Sequence, residues 1–289
     1  MRKNGFGYLI QLVLTTGLAC TSADNQREVT EPTSQSLVAA NRSTPRLCQQ
    51  IVWQDANANQ YVYHFDTHQR LHQCTALEEN SGSKPFALDQ RLTYNKQGYL
   101  EWVHGQEDSS QYNYQKGRLA SIDFFQEGRH VYRYLLDTNT QGQLVGLQGI
   151  PMNNSGLQGY STRYQLDEQG RYIQLEVADD KGQLYYRIIQ RDFVAMANHL
   201  AGGMRGIPYD LNRYPWPSWG KQFPVSEHLA SRIETYRYAA PRTPTRLIKR
   251  ADVSVAFLRD RQGYITSQVT TDAFTSIRDT VRINHLNCP

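Results

Sequence analysis

His64, His68, His72 and Cys74 fall close together, with Asp66 among them. These are the residue types that hold a transition metal, and on a helix their spacing would point them to one side. Asp66 to Gln69 reads as a turn, however, so the group straddles a hairpin. His64 and His72 then sit on opposite strands, and two converging ligands fall short of the three or four a metal needs. No metal and no cofactor is expected. The acidic pairs Glu78–Glu79 and Glu107–Asp108 lie in turn-like stretches, whereas paired-carboxylate hydrolysis needs two carboxylates facing each other across a cleft. The sequence holds no G-x-S-x-G, H-E-x-x-H, phosphate-loop or G-x-G-x-x-G pattern, and "LAGGMRG" lacks the strand-to-helix setting that phosphate binding requires. The expectation is a non-catalytic protein with no catalytic residues.

A second group is aromatic. Within 191–225, Tyr209, Tyr214, Trp216, Trp219 and Phe223 alternate with Pro208, Pro215, Pro217 and Pro224. Large rigid rings on a loop suit contact with sugar rings or protein side chains. They equally suit a loop folded over a sheet face or edge. These five aromatics are the candidate binding residues. The segment interrupts the surrounding pattern as a loop insertion at about 195–225, in which at most a short helix is expected, ended by Gly202 and Gly203.

The elements that must position these groups read as strands. "YVYHF", "YLEWVHG", "RLASIDFFQ", "HVYRYLL" and "RYIQLEV" alternate apolar and polar residues, the signature of a half-buried strand. The 19 tyrosines and a mean hydropathy of -0.65 suit a sheet with one solvated face. The fold class expected is all-β, with on the order of fifteen strands in consecutive antiparallel hairpins, forming a curled sheet or an irregular barrel.

Short turn signals separate the strands. In "LDEQGRY", Asp167 can accept hydrogen bonds from following amides and Gly170 can take positive φ. Asn95 with Gly98, Asp179 with Gly182 and Asp260 with Gly263 keep that spacing. Gly117 comes one residue early, Asp137 and Gly142 stand two residues further apart, and Gln69 occupies a glycine position. The pattern resembles the Rhs/YD repeat of bacterial surface proteins and toxin-enclosing shells, Tyr-x-Tyr-Asp-x-x-Gly-Arg-Leu. Tyr164, Asp167, Gly170 and Arg171 match it; so do Tyr112, Tyr114, Gly117, Arg118 and Leu119, and Tyr63, Phe65, Asp66, Arg70 and Leu71. The resemblance covers 60–190 and 255–266 in broken form and implies serial hairpins. A chain of 289 residues is too short for a toxin-enclosing shell.

The amino terminus has Arg2 and Lys3, an apolar run from Phe6 to Leu14, then small residues. That order reads as a signal peptide, residues 1–19. "GLAC" resembles the lipobox of bacterial lipoproteins, with Gly17 where the family prefers leucine, and implies acylation at Cys20; the alternative is a cut near Ala23 that leaves a free periplasmic protein. Thr21 in place of aspartate implies the outer membrane. Residues 20–45, polar and aperiodic, read as a tether with a reach of about 25–30 Å, leaving 46–289 as one β domain. Cys48, Cys74 and Cys288 then share an oxidising compartment, where one disulfide and one odd thiol is the simplest count. Cys48–Cys74 closes the shorter loop; Cys48–Cys288 would tie the domain's ends. A net charge of +4, spread along the chain, excludes nucleic acid as the expected partner. The whole reads as an exported, lipid-anchored outer-membrane protein acting as a binding or scaffolding module for an envelope protein or glycan. The alternatives are a periplasmic hydrolase with its site under the 203–225 loop, or an accessory or immunity protein for a secreted toxin.

Overall fold

Alternation of tyrosine and aliphatic residues with polar ones builds the whole domain. The computed structural model describes residues 48–54, 60–78, 86–152, 158–197, 228–238, 247–286 and 288. The expected signal peptide, Cys20, the tether, and the loop carrying Tyr209, Tyr214, Trp216, Trp219 and Phe223 lie outside the described residues. Sixteen strands are described. They begin with β1 (Gln50–Gln54), β2 (Gln60–Phe65), β3 (Leu71–Glu78), β4 (Phe86–Tyr94) and β5 (Leu100–His104). Next come β6 (Asp108–Gln115), β7 (Arg118–Gln126), β8 (Arg129–Thr138), β9 (Leu144–Pro151), β10 (Tyr160–Leu166) and β11 (Tyr172–Asp179). The last are β12 (Leu184–Ala197), β13 (His228–Tyr238), β14 (Leu247–Arg259), β15 (Ile265–Asp272) and β16 (Arg278–Leu286).

Each strand pairs antiparallel with its sequence neighbours, and β1 pairs with β16, so the sheet closes into a barrel. The expectation of a curled sheet or irregular barrel thus resolves to closure, which removes exposed edges. Among the described residues there is no helix.

One set of alternate residues forms a single buried cluster, drawn from strands all round the barrel. Ile122, Tyr132, Tyr134, Leu175, Val177 and Ile188 are 0% exposed. Inward positions on β7, β8, β11 and β12 therefore meet side chains rather than a water-filled lumen. Gly149 shows how closely. It lies opposite Tyr134 on β8 and Tyr160 on β10, and a Cβ there would stand 2.6 Å from Tyr132 Cε1 and 2.9 Å from Tyr160 Cε1. Only glycine lets these rings, with centroids 5.0 and 6.0 Å apart, fill the space.

Among the described residues, six turns share one chemistry. At Asp167, one carboxylate oxygen accepts the amides of Gln169 and Arg171 at 3.0 and 2.9 Å, and the Gly170 amide donates to the Asp167 carbonyl. Asp66, Asn95, Asn139, Asp179 and Asp260 repeat it. Gln69 accepts the left-handed position at φ 61°, so its missing glycine does not break the turn. The long Asp137–Gly142 spacing is corrected: Asn139, not Asp137, is the turn residue, and the regular spacing to Gly142 is kept. Lys116–Gly117 and Glu127–Gly128 are two-residue turns with both φ positive, the form whose twist suits tight hairpins.

Five of those six turns, and Lys116–Gly117, lie at the rim where the barrel starts and ends; the Asp179 turn is at the other. There the residue after each left-handed position reaches the next hairpin. Arg118 donates to the Thr140 carbonyl at 3.1 Å, Gln143 to the Gly170 carbonyl at 3.0 Å, and Arg171 stands over the Phe193 ring at 4.7 Å. Tyrosine hydroxyls bridge the same gaps: Tyr94 donates to the Leu71 carbonyl, and Tyr172 accepts the Leu144 amide. An aspartate or asparagine oxygen and a left-handed residue make each of these six turns; arginine, glutamine and tyrosine side chains join neighbouring turns.

The disulfide is Cys48–Cys288, with Cα atoms 4.1 Å apart. Cys74, expected first as the partner of Cys48, is instead buried in the core from β3, opposite Tyr63 and Gln90.

Candidate functional site

The outer face of β5–β8 gathers rings and charges that are far apart in sequence. A bulge near Trp102 leaves Leu100 and Val103 both buried and sets Trp102 on the outer surface with His104. Across β6 the intervening positions are Ser109, between His104 and Phe125, and Gln111, between Trp102 and Asp123. Over these residues the rings of β5 and β7 meet. Trp102 stacks on His104 at 5.3 Å, Phe125 lies 5.9 Å from Trp102, and His130 stacks on Phe125 at 5.0 Å. A second bulge, in the β7–β8 pairing, brings His130 opposite Phe125.

Asp123 is the hub of this surface. Arg133, directly opposite on β8, donates to it through Nε at 2.6 Å and Nη2 at 3.2 Å. Asn113 on β6 donates at 3.0 Å, and His130 Nε2 lies 2.9 Å away. Burial alone would push the Asp123 carboxyl up; the Arg133 hydrogen bonds and charge, the His130 charge and the Asn113 amide outweigh it and hold the group below the ordinary aspartate value. The ionised carboxylate thus fixes Arg133, itself 42% exposed, beside the rings. This arrangement holds donors and apolar rings in place for contact. Asp123, engaged by three partners, acts as their clamp.

The outer face of β11–β14 is a charge lattice. Glu176 accepts from Arg187 at 2.7 Å, and Tyr238 joins them. Glu234 and Asp252 face each other as a like-charged pair. Arg232 bridges them, at 3.3 Å from Glu234 and 2.7 Å from Asp252, as does Lys249 at 2.6 and 2.7 Å, while Arg191 pairs with Glu234 at 3.0 Å. Hydrogen bonds from Arg232 lead the causes that lower the Asp252 carboxyl, with burial opposing.

The histidine group does not converge. His64 and His72 have ring centroids 6.1 Å apart, His68 is exposed in its turn 3.9 Å from Asp66, and Cys74 is in the core. Burial, then the charge of His72, lowers the His64 pKa against the pull of Asp89. Among the described residues no group of three or more His, Cys, Asp or Glu could hold a metal. Trp102, His104, Asp123, Phe125, His130 and Arg133 were not singled out by sequence. Their assembly depends on cross-strand register and two bulges, for which spacing along the chain has no counterpart.

No family model and no curated protein matches this chain. Solved structures do. A porin-like protein from Bacteroides uniformis is 13% identical, covering 84% of this chain and 99% of its own, with a TM-score of 0.52. A porin-like protein from Bacteroides vulgatus is 8% identical over 83% and 99%, with a TM-score of 0.45. The TcdB2-TccC3 structure is 10% identical over 75% of this chain and 13% of its own, with a TM-score of 0.24. What the first shares with this chain is a fold.

Proposed function

We propose that this protein is a cell-envelope lipoprotein, anchored through Cys20 to the outer membrane, whose barrel is a non-catalytic binding module standing in water. The single observation that carries this reading is the polarity of the two barrel faces. A membrane-spanning barrel turns apolar residues outward and often keeps a polar interior. Here the inward layer is tyrosine, leucine and isoleucine, while Arg133, Arg187, Arg191, Arg232 and Lys249 stand on the outer face. A cationic side chain on a lipid face costs about 2–4 kcal/mol near the bilayer midplane, which makes lipid contact there unfavourable. The rings of Trp102, Phe125, His104 and His130 beside a fixed guanidinium suit contact with an envelope protein or glycan. The Rhs/YD resemblance agrees with a serially built binding scaffold.

Exporting the chain on a leader that is removed without acylation tests the placement. The barrel should then appear in the detergent-free periplasmic fraction, while wild type stays with the membrane and takes up labelled palmitate that Cys20→Ser does not. A non-acylated barrel that still requires detergent for extraction overturns the reading.

A further inference from the structure

The barrel's closure is held differently from the rest of its ladder. Every other pairing joins strands consecutive in sequence, whereas β1 and β16 come from the two ends of the domain. Their ladder runs over five residues, from Gln50↔Leu286 to Gln54↔Arg282. β16 is also divided at Arg282. Residues 278–282 pair with β15, and 283–286 continue with β1 alone. On the β15 side of that second half, a side chain substitutes for the ladder: His285 Nε2 lies 2.8 Å from the Ile265 carbonyl, with its ring 4.9 Å from Tyr264. Cys48 and Cys288 each stand two residues beyond the last pair, Gln50↔Leu286, and so continue the same register. The disulfide therefore caps the seam at the rim where it would otherwise fray, and it bridges a sequence separation of 240.

We infer that the Cys48–Cys288 disulfide is a redox latch: the barrel is closed when it is oxidised, and a dithiol reductant opens it along β1–β16 while the rest of the ladder stays formed. The two sulfurs differ in access, since Cys48 is buried and Cys288 is exposed. A reductant thiolate attacks the Cys288 sulfur, the S–S bond breaks, and Cys48 leaves as a thiolate that takes up a proton. The reductant's second thiol, as thiolate, then displaces Cys288 and closes the reductant's own disulfide, and the Cys288 thiolate is protonated in turn. Two electrons pass to the protein and the dithiol is oxidised. Without the cross-link the five-residue ladder must close a very long loop unaided, at a large cost in chain entropy. Opening presents β1 and β16 as free edges, whereas β6–β12 retain both neighbours and the fully buried layer.

Hydrogen exchange on the full chain, oxidised, reduced with dithiothreitol, and as a Cys48→Ser/Cys288→Ser double variant, tests the latch. Amides in 50–54 and 282–286 should exchange at least about tenfold faster in the reduced and double-variant proteins. Those of β7–β12 should keep their protection, and reoxidation should restore the wild type only. Unchanged seam exchange on reduction overturns the latch. Acceleration spread evenly over β7–β12 also overturns it, because the disulfide would then support the whole fold rather than a seam.

Discussion

Gly149→Ala tests whether the barrel is a filled body or a channel. The added Cβ would stand 2.6 Å from Tyr132 Cε1, 2.8 Å from Tyr132 Oη and 2.9 Å from Tyr160 Cε1. Real carbon contacts lie about 1 Å further out, at 3.5–4.0 Å. Tyr132 is 0% exposed and Tyr160 4%, so neither ring can swing into solvent. Tyr132 is also held through its hydroxyl, which donates to the Gln158 carbonyl at 2.8 Å. Overpacking of this kind costs about 1–3 kcal/mol. Alanine restricts the unfolded chain, which offsets about 0.4–1 kcal/mol. A net loss of about 1–2 kcal/mol should lower Tm by about 2–8 °C in a domain of this size. Thermal and urea unfolding of Gly149→Ala, Tyr132→Leu and the double variant would measure this. The double variant should lose less than the sum of the singles, because the smaller side chain makes room for the methyl. If Gly149→Ala is neutral, or the two changes simply add, the rings are not in contact and the interior has slack. The distinction between this barrel and a pore would then fail.

The Asp123 clamp and the rim turns make two further expectations. Asp123→Asn should cost about 1–2 kcal/mol, discounted because Arg133 is part-exposed. Since the folded Asp123 carboxyl titrates below its unfolded value, its contribution is present above the ordinary aspartate range and is lost as pH falls through the lowered folded value. Wild type should therefore lose stability on acidification more steeply than Asp123→Asn, and equal slopes in urea titrations would refute the clamp. Gly170→Ala should cost about 1–2 kcal/mol for the left-handed backbone, at φ 74°, plus the displaced Gln143 contact, 2.6 Å from the new Cβ. Gly142→Ala, with nothing within 4 Å, should cost the backbone term alone. Equal losses by calorimetry would show that the contact between neighbouring turns contributes nothing.

Much of the architecture was legible along the chain because it is local. Alternation in "RLASIDFFQ" marks β7 through the two-residue period of a pleated strand, and Asp167 with Gly170 marks a turn through the amides directly after it. Serial hairpins pair neighbours, so strand order followed from sequence order. Asn139 in place of Asp137 was missed because amide and carboxylate oxygens accept turn amides equally well, and the nearest aspartate was not the one at the bend.

Closure, disulfide pairing and the outer-face site were decided only by the tertiary structure. Whether hairpins curl into an open sheet or a ring depends on accumulated twist and stagger, which no single hairpin contains. Loop length favoured Cys48–Cys74, but closure brings Cys48 to Cys288 and turns Cys74 into the core. Asp123 meets Asn113, His130 and Arg133 because register and a bulge bring three strands level, and moving one strand by one residue would send its side chains to the opposite face. Turn chemistry and strand period are written residue by residue; which side chains face water together is a property of the closed sheet.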